Sequence, residues 1–243
     1  MRVLILNPNT DVQIAKTLSK AAEPFFSDTI QAVTKCVNYG PKAITTELDE
    51  LVSQTAVLNY LKVHYQQYDG VIVACFGDPA VNLLKRMLPI PVIGIAEAAY
   101  HSASLYSGSF CAISTGGMEE SSLTKSMIDR CGLKNKCTGV YPLGIAMGEL
   151  EKSSDLVLNQ LIEKIVTQED AKSIVLACAA LAGMGKTASQ KYGIPIYDGI
   201  GEAAVLMESI LCSDTFRKRI QTGKTINIPD FSFISVNKEE VDL

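Results

Sequence analysis

The chain has no tryptophan, only two histidines (His64 and His101) and no Cys-x-x-Cys pair in its 243 residues. Neither histidine falls at the end of a predicted strand, so neither is taken as a proton-transferring base. Cys131 and Cys137 are six apart with no histidine nearby, which is poor spacing for zinc. No Gly-x-Gly-x-x-Gly follows a strand, and no lysine stands beside a strand end in a Schiff-base setting. No cofactor and no metal are therefore expected. Long runs of one charge are missing too: 22 basic and 26 acidic residues leave a formal charge of −4. That balance offers no electrostatic footprint for nucleic acid or an anionic membrane, and small ligands become the expected partners. No stretch approaches the roughly 18 to 20 apolar residues of a membrane span, and the opening "MRVLILNPNT" is too short for a signal-peptide core. The seven cysteines are odd in number and scattered. They read as reduced thiols, and a cytoplasmic protein is expected.

What is present is a large apolar fraction, 47% against 20% charged, enough for one large core or two ordinary ones. Short β-branched runs at 2–6, 29–37, 71–75, 91–95, 110–114, 136–141, 173–178 and 194–198 alternate with helix-like segments. The latter lie near 11–22, 47–67, 79–88, 97–106, 119–131, 150–167, 183–192 and 201–220. Strands that read as continuously apolar are covered by helices on both faces. The class is α/β with parallel sheets.

The second half of the chain repeats the first. "VIVACFGDP" at 71 falls beside "IVLACAALA" at 174, and "PVIGIAEAA" at 91 beside "PIYDGIGEAA" at 195. The offset is 103 residues for Cys75 and Cys178, 104 for Pro91 and Pro195, and 105 for Glu97 and Glu202. This is an internal duplication of about four βα units per copy. Two pseudo-symmetric, flavodoxin-like lobes follow, each a roughly four-stranded parallel sheet with helices on both faces. The expected division is 1–98 plus about 200–220 for the first lobe, 99–199 for the second, and a C-terminal tail at 221–243 outside the duplication.

In an open parallel sheet the ligand crevice lies beyond the carboxyl ends of the strands. Cys75 and Cys178 each take that position, and an approximate twofold axis would merge the two crevices into one cleft. A helix amino terminus there is expected to lower a thiol pKa. One cysteine as thiolate base and the other as thiol acid would move a proton from one face of a carbon beside a carbonyl to the other. The outcome is racemisation or epimerisation. Free cysteines commonly serve as small buried hydrophobes, which is the reading for Cys36, Cys111, Cys131, Cys137 and Cys212. Two other classes stay open: a decarboxylase or cis-trans isomerase of a small dicarboxylate, and a non-catalytic two-lobed ligand-binding protein.

On "LNPNT" at 6–10, "VACFGDP" at 73–79, "VIGIAEAA" at 92–99, "AIST" at 112–115 and "IVLAC" at 174–178, the chain resembles the aspartate/glutamate/hydantoin racemase superfamily. Within it, the likeness is to the hydantoin and allantoin racemase branch. The resemblance implies a PLP-independent two-base enzyme, Cys75 and Cys178 as its acid and base, and a five-membered cyclic ureide as substrate. It covers nearly the whole chain to about residue 212. Two stretches depart from the family pattern. "ACAALAG" places Ala177, Ala180 and Leu181 where glycines and a methionine are usual, and "AITTELDE" at 43–50 replaces Ser-Ile-Glu-Gly before an acidic pair. The Thr-His that follows the second cysteine in glutamate racemases is absent.

The strand-end rule, with the resemblance, supplies the other candidates. Asn9 and Thr10 end the first strand; Ser114, Thr115, Gly116 and Gly117 end its counterpart. Phe76, Gly77 and Asp78 follow the first thiol, and Ala179 and Ala180 the second. Ile44 matches the family's isoleucine in the 43–50 segment. Hydroxyl, amide and backbone N–H groups there could hold ring carbonyls and a developing enolate oxygen. Asp78 before Pro79 also reads as an ordinary helix start, Asp as N-cap with Pro in the first turn. Glu97 and Glu202 fall in first turns, where a carboxylate complements the helix dipole. The chain is expected to form a homo-oligomer, with no nucleic acid or membrane partner.

Overall fold

In a computed structural model of the protein, residues 1–145, 150–168 and 171–213 are described. The 221–243 tail, and the end of the segment expected to run to 220, lie outside them. Two four-stranded parallel sheets form the scaffold. The first has the order β2-β1-β3-β4, from β1 (Arg2–Asn7), β2 (Gln31–Cys36), β3 (Gly70–Val73) and β4 (Val92–Gly94). The second repeats it as β6-β5-β7-β8, from β5 (Phe110–Ser114), β6 (Cys137–Pro142), β7 (Ile174–Leu176) and β8 (Ile196–Tyr197). The same order in both halves is what the duplication required. The helices are α1 (Val12–Ala22), α2 (Glu47–His64), α3 (Val81–Met87), α4 (Ile95–Ser107), α5 (Met118–Arg130), α6 (Leu150–Gln168), α7 (Met184–Tyr192) and α8 (Ile200–Cys212).

Strand periodicity sorts the apolar side chains into three cores. Val3 and Ile5 of β1, Ile72 of β3, Phe110 and Ala112 of β5 and Val175 of β7 belong to one central core that both sheets share. Their neighbours in sequence face the other way. Leu4, Leu6, Val71 and Val73 pack in an outer core of the first lobe, and Cys111, Ile113, Ile174 and Leu176 in an outer core of the second. The strands β1, β3, β5 and β7 are thus apolar on both faces because each face meets a different core, whereas the edge strands β2 and β6 are exposed or half-buried. Between the lobes, α4 packs on α8, and Tyr100 of α4 stacks on Phe110 at 5.6 Å with Phe76 edge-on at 6.0 Å. α8 follows the last strand of the second sheet, yet it also touches α1, β3 and β4 of the first. Among the described residues no helix is long and apolar enough to cross a membrane.

Candidate functional site

Cys75 lies two residues beyond the last residue of β3, and Cys178 two beyond the last of β7. Parallel strands deliver both to the same edge of their sheets, and both line one cleft between the lobes, without a disulfide. The cleft encloses about 70 Å³. One water takes about 10 to 15 Å³, so there is room for a ring of about half a dozen non-hydrogen atoms, with any substituent extending toward the mouth.

The two thiols differ in surroundings. Burial pushes the Cys75 pKa up to about 12; the Gly77 N–H, 3.5 Å from Sγ, opposes that rise, and Asp78, Glu50 and Cys178 add to it. Burial raises Cys178 as well, opposed by the Thr115 hydroxyl and by the backbone at Ala180 and Leu181, with no carboxylate contributing. The expected lowering of a thiol pKa by a helix amino terminus is therefore reversed in both. The physical reason is distance together with burial: α3 begins at Val81 and α7 at Met184, six residues past each cysteine. The helix field falls off within about a turn, while desolvation acts at full strength.

Of the other sequence candidates, Asn9, Ile44, Phe76, Gly77, Thr115 and Ala179 line the cleft. Asn9 is oriented by its neighbours: its Oδ1 accepts from Asn7 Nδ2 at 2.7 Å and from the Asp11 N–H at 2.9 Å. That leaves its Nδ2 as the available donor. Ser114, Gly116, Gly117, Asp78 and Ala180 do not line it. Ser114 Oγ is buried against Ser121 Oγ at 2.7 Å. The Gly116 N–H donates to the Ile145 carbonyl, and Gly117 precedes α5, its N–H donating to Glu120 Oε2 at 2.9 Å. Thr10 donates to the Pro41 carbonyl. Of the residues that depart from the family pattern, Ala177 lines the cleft and Leu181 turns into the outer core of the second lobe.

Asp78 is not the start of α3. It has a positive φ of 44°, and its carboxylate crosses to the next helix, accepting from the Ala96 N–H at 3.0 Å and the Glu97 N–H at 2.8 Å. The local Asp-Pro reading fails because α4 has a glycine, Gly94, before its first turn. A glycine has no side chain with which to cap that turn, and Asp78 supplies the missing acceptor. Glu97 and Glu202 take first-turn positions and accept from the Gly94 and Gly199 N–H groups respectively. His64 packs at a tilt against Tyr60, and His101 lines a separate polar cavity behind Gly77 and Asp78. Neither borders the cleft.

Sequence reasoning missed the side chains that helices bring in: Ile14 of α1, Glu50 of α2, and Glu120, Leu123 and Thr124 of α5. Glu50 is only 15% exposed; burial pushes its carboxyl up, against the pull of the Arg130 guanidinium 3.8 Å away. Arg130 belongs to the second lobe and also donates to the Gly77 carbonyl at 3.1 Å, tying the first cysteine loop across the cleft. The segment did carry a signal. Thr46 and Asp49 cap α2 reciprocally, so Glu47 and Glu50 are the acids of "TTELDE" that the cap does not consume, and of these Glu50 is the one that lines the cleft.

A family model described as Asp/Glu/Hydantoin racemase matches residues 3–207. A hydantoin racemase of Paenarthrobacter aurescens is 28% identical over 218 residues, covering 87% of this chain and 91% of that protein. An allantoin racemase of Pseudomonas fluorescens superposes with a TM-score of 0.81 at 26% identity, covering 87% of this chain and 91% of that one. For an allantoin racemase of Klebsiella pneumoniae the TM-score is 0.82 at 24% identity, with 87% and 88% covered, a likeness of fold.

Proposed function

The chain belongs to the Asp/Glu/hydantoin racemase family, and from that premise we propose that it is an isomerase that racemises a five-membered cyclic ureide, a 5-substituted hydantoin or allantoin, with Cys75 and Cys178 as its two bases. One observation carries the proposal. Two thiols at duplicated positions border the same ring-sized cleft from opposite lobes. A single-base reaction would need only one of them.

In this mechanism one cysteine, as thiolate, removes the hydrogen from the carbon beside the ring carbonyl. The electron pair moves into the carbonyl as an enolate, and the other thiol returns a proton to the opposite face. The enolate oxygen needs a donor, and Asn9 Nδ2 supplies one at the cleft wall, the Thr115 hydroxyl being engaged with Cys178. The raised thiol pKa values keep both sulfurs protonated in the empty cleft at neutral pH. Since the base must lose its proton and both thiol pKa values are raised, kcat/KM is expected to keep rising with pH beyond the ordinary thiol range.

Polarimetry of the purified protein with single enantiomers of allantoin and of several hydantoins tests this directly. The expected result is decay of rotation to zero, without consumption of substrate, in the absence of added PLP, nucleotide or metal. Persistent rotation with every ureide would overturn the reading.

A further inference from the structure

A cyclic ureide presents two ring N–H donors beside its carbonyls, and the cleft must accept at least one of them. The polar side chains lining it are Asn9, Glu50, Thr115, Glu120 and Thr124 beside the two cysteines, and the two carboxylates among them are the strongest acceptors. Asn9 has already used its carbonyl oxygen on Asn7 and Asp11. Glu120 turns an oxygen back to the Gly117 N–H at the start of α5. Glu50 has no hydrogen-bond partner among the described residues; its nearest cation stands off at 3.8 Å. It is held in place nonetheless. A Cβ added at Gly77 would lie 2.6 Å from Glu50 Oε1, so the absence of a side chain there lets the carboxylate rest against the Cys75 loop. Arg130, reaching from α5, fixes that loop through the Gly77 carbonyl and faces Glu50 at the same time.

We propose that Glu50 is a substrate-binding residue of this site, its carboxylate accepting a hydrogen bond from a ring N–H of the ureide and so fixing how the ring lies between Cys75 and Cys178. This rests on the ureide reading above. A mostly buried carboxylate with a lone pair facing a small cleft strongly favours a donor on the ligand, since a hydrogen bond to a charged group is among the stronger ones. It also disfavours a second carboxylate there, which argues for a neutral ring over a dicarboxylate.

The test compares wild type, Glu50→Gln and Glu50→Ala on 5-methylhydantoin and on its N1-methyl and N3-methyl forms. The expected result is a loss in kcat/KM of about 10- to 100-fold for Glu50→Ala on the parent ring, carried mainly by KM, the size of one charged hydrogen bond. Glu50→Gln, which keeps a neutral acceptor, falls between. On one of the two N-methyl rings wild type has already lost the contact, so Glu50→Ala costs it only about 2- to 3-fold, a coupling that structural damage cannot produce. The same loss on all three rings overturns the proposal. Calorimetric binding of unsubstituted hydantoin separates this failure from that of the functional reading. Binding about 10-fold or more weaker to Glu50→Gln, without racemisation by any form, would leave the Glu50 assignment standing and overturn the racemase reading. Equal binding to wild type and Glu50→Gln, or no binding to either, overturns the Glu50 assignment.

Discussion

Five residues past Cys75 stands Ala80, and five past Cys178 stands Gly183. Each is the last residue before a helix, and each has a left-handed backbone, φ 65° and 86°. The duplicated chain makes the same turn in both lobes but uses a residue suited to it only in the second, because a left-handed conformation costs an L-residue with a Cβ roughly 1 to 2 kcal/mol. The carboxylates beside the turns are exchanged as well. In the first lobe Asp78, in the loop after β3, caps the helix after β4. In the second, Asp198, in the loop after β8, accepts from the Gly183 and Gly185 N–H groups at the helix after β7. The same pair of loops is tied in both lobes, but the acid is supplied from opposite members of the pair. One result is chemical: Asp78 stands three residues from its cysteine and raises that thiol further, whereas no carboxylate contributes to the shift of Cys178. The fold is symmetric and the proton affinities are not.

The largest expected effect breaks the equivalence of the two thiols outright. Cys75→Ser and Cys178→Ser should each lower racemisation of both enantiomers by about 10³-fold or more, since a serine hydroxyl does not supply the base at neutral pH. Wash-out of the α-hydrogen into D2O, followed by proton NMR, should survive for one enantiomer in each variant, and for opposite enantiomers in the two. Exchange of the same enantiomer by both variants would show that the cysteines do not serve opposite faces.

A second measurement grades the two. Alkylation by iodoacetamide followed against pH, with each site read by peptide mass spectrometry, should give a lower midpoint for Cys178 than for Cys75. The midpoint is the quantity to compare, because Cys75 is the more exposed and its absolute rate reflects access as well as ionisation. Both midpoints should lie above that of a model thiol.

The smallest effect concerns the turns. Ala80→Gly should raise stability by about 0.5 to 1 kcal/mol, relief of the left-handed strain exceeding the entropy a glycine adds to the unfolded chain. Gly183→Ala should lower it by about 1 kcal/mol or more, since the new Cβ also comes within 3.3 Å of the Ala21 Cβ. Urea titration checks both, and equal responses at the two positions would contradict the comparison.

The order of strands and helices was legible in the sequence because both faces of the central strands β1, β3, β5 and β7 are buried and the pattern is repeated after about 103 residues. Of the cleft, what was legible followed the strand ends: both cysteines, Asn9 and Thr115 lie where parallel strands stop. Glu50, Thr124 and Arg130 were not, because they stand within or at the far end of helices whose passage across the cleft is set by tertiary packing. Asp78 was misread for a related reason. Its local dipeptide matches a helix start, and the partner that overrides this, the first turn of α4, is 18 residues further on.

The return of α8 to the first lobe bears on how the protein is made. Met207 of that helix packs against Gly70 at the start of β3, and Phe25 against Gly201, so contacts that seal the amino-terminal sheet come from near residue 200 and beyond. A ribosome extending the chain exposes β1 to β4 long before it supplies that cover. Amino-terminal domains generally fold first during synthesis, but this half lacks its lid until α8 clears the exit tunnel. In the interval the bare surface is a place for a chaperone to hold, and a chain cut short before α8 would carry it permanently into the proteolytic and aggregation pathways open to exposed apolar surface.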